Sequence, residues 1–138
     1  MNIGIQISVI HTDEHLIELR VSAANGVFAG QAELYADADA LIEIADALRG
    51  FPENRDDARE FELGSLDAAY AGGGAGFRFF CLDSVGHASA EVRLRSDPLV
   101  HGVSDTVLLH IPVAAAAIDS FVTQLERMQA VVGESAFL

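Results

Sequence analysis

Apolar and polar residues alternate from the start of the chain. Ile3, Ile5, Ile7 and Val9 are separated by Gly4, Gln6 and Ser8, the period-2 signature of a half-buried strand. Residues 15–24 alternate again, with Ile17, Leu19, Val21 and Ala23 against Glu18, Arg20 and Ser22. Asn25-Gly26 then supplies the positive-φ pair of a tight hairpin, so residues 27–36 are predicted to return antiparallel. Over residues 38–49 the period changes to that of a helix. Asp37 and Asp39 are capping residues, Leu41, Ile44, Ala45 and Leu48 share one face, and Gly50 and Pro52 close the segment. Its opposite face carries Asp39, Glu43 and Asp46.

A polar connection over 53–60 leads to a short strand at Phe61 and Leu63, and the glycines of 72–76 read as a flexible hairpin loop. Residues 77–82 are predicted as a strand buried on both sides, and 84–87 as a turn. Residues 88–95 follow as a strand with Ala88, Ala90, Val92 and Leu94 inward and Ser89, Glu91, Arg93 and Arg95 outward. After a loop over 96–104 comes a last strand at 106–111. Pro112 then opens a second helix, because a proline at the first helical position forgoes no hydrogen bond. Ala114, Ile118, Phe121, Val122, Leu125, Met128 and Val132 form its apolar face, and Arg127 near its end suits the helix dipole. The order βββα-ββββα, with short connections throughout, predicts an antiparallel α+β fold: one sheet of about seven strands with two helices in a single domain over 1–138.

The chain's 138 residues, 51% hydrophobic and 21% charged, suffice for a core that hides about two thirds of the unfolded surface. The basic start and long apolar run of a signal peptide are not found, no run approaches the roughly 20 residues of a membrane span, and Cys81 has no disulfide partner. A cytoplasmic location is expected. The net charge is −13, all eight basic residues are arginines, and there is no lysine. Residues 1–69 hold 14 acids against 4 arginines, residues 70–138 only 7 against 4. Such a field repels phosphate backbones and anionic lipid and draws basic proteins, although net charge alone also serves solubility.

Candidate chemistry fails on context. The His11-Thr12-Asp13-Glu14-His15 cluster has metal-ligating residue types, but it lies in a predicted turn, where side chains do not align as on a helix. Cys81 shares strand parity with Phe77 and Phe79 and is expected in the core as an inert thiol. His87, His101 and His110 have no partner pattern for acid–base work. Gly72-Gly73-Gly74-Ala75-Gly76 matches no phosphate-binding motif, and without lysine there is no Walker-type ligand or Schiff base. No catalytic residue, cofactor or metal ligand set is therefore expected. What remains is a solvated acidic surface of Asp39, Glu43, Asp46, Glu53, Asp56, Asp57 and Glu60, tempered by Arg55 and Arg59, that suits docking of a basic protein.

The hairpin ending in 26–35, the capped helix closing with Gly50-Phe51-Pro52 and the Phe61-Glu62-Leu63 strand form a suggestive series. With residues 77–83 followed by Gly86, and the terminal 111–125 unit containing Phe121, the chain resembles the WapI-type immunity proteins of bacterial polymorphic-toxin systems. The resemblance implies an antiparallel α+β protein that binds and neutralises a cognate toxin in the cytoplasm, with no catalytic residue to carry over. Two alternatives stand beside it. One is an acidic secretion chaperone, a dimer that holds an effector's extended segment in apolar grooves; the other is a small ligand-binding domain. The chain is thus expected to be a monomer or a homodimer.

Overall fold

A computed structural model describes residues 2–138. The first three alternating segments are antiparallel strands β1 (Gly4–Thr12), β2 (Leu16–Ala24) and β3 (Ala29–Asp37), followed by α1 (Ala40–Leu48). Then come β4 (Ala58–Gly64), β5 (Gly74–Cys81), β6 (His87–Arg95), the one-turn α2 (Pro98–His101), β7 (Thr106–Ala114), α3 (Ala117–Met128) and β8 (Ser135–Phe137). The α+β class and the order of strands and longer helices agree with the sequence pattern. Among the described residues the strands number eight, however, and divide into two antiparallel sheets, β3-β2-β1-β8 and β4-β5-β6-β7.

The division follows from what each sheet buries. Ile5, Ile7, Ile17, Leu19, Val21 and Leu34 form the inner face of the first sheet, and Leu63, Phe77, Phe79, Val92, Leu94, Leu109 and Ile111 that of the second. Together with the apolar faces of α1 and α3 they make one core. Burying one such side chain stabilises by about 1.5–3 kcal/mol. Helix α1 packs chiefly on α3, and α3 also covers β8 and β7. The sheets press close at Gly30, where a Cβ would lie 2.7 Å from Val107 Cγ1.

Several local readings change. Pro112 lies inside β7, opposite Ser89. The Ser96 N–H donates to Asp105 O, so odd residues of β7 bond to β6, and the nitrogen of Pro112 faces the outer edge, where no ladder bond is lost. The second long helix therefore begins at Ala117, and Val132 lies exposed beyond it. The β2–β3 hairpin turn spans 25–28: Asn25 Oδ1 accepts from the amides of Val27 and Phe28, and Gly26 supplies φ of 89°. Asp39 occupies the N-cap of α1 without a side-chain capping bond.

The glycine run is no flexible loop. Gly74–Gly76 belong to β5, and Gly73 N donates to Glu33 O of the other sheet at 3.1 Å. Strand β5 is not buried on both sides, since Arg78 is exposed and Phe80 half-buried. Ser89 and Arg95, expected outward, are both buried. Residues 65–73 and 96–104 close over Arg95 and take its guanidinium hydrogen bonds.

Candidate functional site

The seven acids singled out in the sequence fall on different surfaces. Asp39 and Glu43 are exposed on α1, while Asp46 pairs at 2.8 Å with Arg49, which also holds Glu126 of α3 at 2.5 Å. Glu53 and Asp56 project from the connection before β4, and Glu60 lies on the outer face of β4, 3.3 Å from Arg78. Asp57 turns inward. It accepts from Arg59 Nε at 3.0 Å and Nη2 at 2.9 Å, and from the Glu53 amide at 2.9 Å. Arg59 in turn donates to Ala47 O and Arg49 O and lies over the Phe51 ring, so the pair fastens the end of α1 to β4.

The hydrogen bonds from Arg59, opposed by burial and helped by the Glu53 amide, hold the Asp57 carboxyl below its ordinary 3.8. A depressed folded value means that this stabilisation is complete above the unfolded pKa and is lost as pH falls through the folded one. Asp57→Asn is therefore expected to lower stability at neutral pH and to flatten the acid limb below about pH 4. Urea midpoints measured from pH 7 down to pH 2.5 check this, and parallel curves for the two proteins would refute it.

Two grooves meet at Tyr35, which is 51% exposed. The first, about 320 Å³, runs between β4 on one side and β3 and α1 on the other, with Asp37, Glu43 and Glu62 beside Leu16, Ile44 and Phe61. The second, about 420 Å³, lies between the outer face of β2 and β3 and the chain around α2, and presents Glu18, Glu33, Asp97 and Asp105. Among the described residues lining the two there is no arginine; Arg20 reaches Glu33 from outside at 2.8 Å. Glu18, opposite Tyr35 in the ladder, raises the phenol pKa above its ordinary 10.0, and Asp97 and Glu33 add to the effect.

Of the seven predicted acids, only Glu43 lines these grooves. Glu18 on β2 and Glu33, Tyr35 and Asp37 on β3 were legible as outward-facing positions, because strand parity places them there. Nothing local announces that Asp97 and Asp105 come to meet them. The arrangement offers carboxylates around an amphipathic aromatic, which attracts cations and accepts hydrogen bonds.

The other candidate groups are dispersed. Asp13 Oδ1 accepts from the amides of His15 and Leu16 and so shapes the first hairpin, while His11 and His15 are exposed. Among the described residues no three His, Cys, Asp or Glu side chains are grouped to hold a metal ion. Cys81 is half-buried, its Sγ 3.7 Å from Asn54 O. His87 pairs with Asp83 at 2.5 Å across the β5–β6 turn, and His110 is exposed on β7.

Fold and site together define an acidic two-sheet α+β domain with recessed carboxylates around an exposed tyrosine. Compared with protein-family models, curated proteins and solved structures, the chain matches none of them. Among the described residues no helix is long and apolar enough to cross a membrane.

Proposed function

We propose that this domain is a non-enzymatic binding protein for a basic protein partner. In line with its resemblance to WapI-type immunity proteins, the partner is a bacterial toxin that it neutralises in the cytoplasm of the producing cell. The pair of carboxylate-lined grooves flanking Tyr35 carries the reading. A concave surface of one charge sign focuses the field and speeds encounter with a basic partner. An exposed tyrosine at the centre of such a surface supplies apolar contact area at low entropic cost.

Two experiments test it. Co-expression with the product of the adjacent gene, where that product is toxic, is expected to restore growth; undiminished killing removes the toxin reading. With the partner in hand, Glu18→Arg combined with Asp97→Arg is expected to slow association at least tenfold at low salt and to flatten its salt dependence. Unchanged association kinetics in stopped flow would place the interface elsewhere.

A further inference from the structure

Four of the described strands lie at sheet edges, and three of them have at least one outward main-chain group that is already occupied or missing. On β8, the side-chain amide of Gln124 accepts from Phe137 N at 2.9 Å and donates to Phe137 O at 3.1 Å, doing the work of a neighbouring strand. On β7, Pro112 has no N–H to offer and Asn25 Nδ2 donates to His110 O at 3.1 Å. On β3, Glu33 O is taken by Gly73 N. An unpaired edge is a template for another chain, and natural folds suppress it by such means.

On strand β4 the outward groups of Glu60 and Glu62 meet no such block. The Leu82 N–H donates to His87 O, so even residues of β5 bond to β6 and odd residues bond to β4, through its own odd residues Arg59, Phe61 and Leu63. The N–H and C=O of Glu60 and Glu62 therefore point away from the sheet, and no described residue bonds them. The Glu60 and Glu62 side chains are exposed, and the first groove runs beside this edge with Phe61 and Ile44 in its walls.

We propose that β4 is the docking edge for an extended segment of the partner protein, one in which basic and apolar residues alternate. The reading deepens the protein-binding function and rests on it. Paired along β4, the segment forms main-chain hydrogen bonds with Glu60 and Glu62 and becomes a fifth strand of the second sheet. Its residues opposite Glu60 and Glu62 share their face, which favours arginine or lysine there. The intervening residues face the groove, where Phe61 and Ile44 favour apolar side chains. A second copy of this chain is a poor occupant, because β4 against β4 sets glutamates against glutamates.

The test uses the full chain and a decapeptide alternating arginine with valine, beside the same peptide N-methylated at its arginines, whose amides face β4. The plain peptide is expected to slow hydrogen exchange of the Glu60 and Glu62 amides at least tenfold at saturation. N-methylation is expected to weaken its Kd at least tenfold. On the protein, Glu62→Pro removes an outward donor that the sheet does not use, and it is expected to bind at least tenfold more weakly than Glu62→Gln, which removes the charge alone. Equal binding of the two peptides, without protection of Glu60 and Glu62, overturns edge pairing and leaves the acidic binding surface standing. Failure of both peptides to bind overturns edge pairing too, and if charge reversal at Glu18 and Asp97 also leaves partner association unchanged, the binding surface falls with it.

Discussion

Arg95→Met is expected to lower the unfolding free energy by about 3 kcal/mol or more, the largest effect of a polar substitution in this protein, because it orphans buried carbonyls. Arg95 is 2% exposed. Its Nε and Nη2 donate to Ser65 O at 2.9 and 2.7 Å, Nη2 to Gly72 O at 2.9 Å, and Nη1 to Ser96 O and Ser104 Oγ, both at 3.2 Å. None of these acceptors is a carboxylate. The guanidinium thus sits where a buried cation usually needs an anionic partner, and neutral oxygens take its place.

Methionine fills the volume but leaves Ser65 O and Gly72 O without these donors. Lysine is expected to restore little of the loss, since one ammonium cannot reproduce the fan of a planar guanidinium. Urea unfolding checks the loss, and a change below about 1 kcal/mol would show that the two loops hold without their common donor. Ser96, Asp97 and Asp105 wall the second groove, so the same variant is expected to weaken partner binding.

Gly73→Ala ranks second. A Cβ at this position would lie 2.5 Å from Glu33 O and 2.7 Å from Arg95 O. Both are backbone atoms in ordered strands and cannot swing aside as a side-chain end would. Overpacking of this kind costs about 1–3 kcal/mol, and the lost contact includes the Gly73 N to Glu33 O bond that ties one sheet to the other. Thermal unfolding should show the loss. An unchanged transition would mean that the sheets separate here without cost.

How far the chain could be read from its sequence depended on the range of the interaction that decides each feature. Strand and helix placement is local: the side-chain parity of Ile5, Ile7 and Val9, or the spacing of Leu41, Ile44 and Leu48, states which face is buried. Pro112 misled because a strand edge tolerates proline as well as a helix start does, and only the pairing of β6 with β7 distinguishes them. Strand β8 escaped notice because three residues carry too little alternation, and Gln124 of α3 supplies what a neighbouring strand would. The seven acids were identified by charge and by their place on a helix face and in the following loop, which says nothing of Asp57 turning to Arg59 or of Glu18 meeting Asp97 near Tyr35.

The sequence by itself determined the class of fold, the order of its elements, the identity of most of the core and the excess of negative charge, since each follows from residue type and period-2 or period-3.6 spacing. The tertiary structure alone decided that the strands form two sheets, that an arginine is buried among carbonyls, and which carboxylates share a groove. It also left the outward groups of Glu60 and Glu62 on β4 unpaired, while each of the other three edges has at least one such group occupied or missing. These outcomes depend on approaches between segments remote in the chain, such as Gly73 to Glu33 and Arg95 to Ser65, and no local pattern records a distance that only the packed core sets.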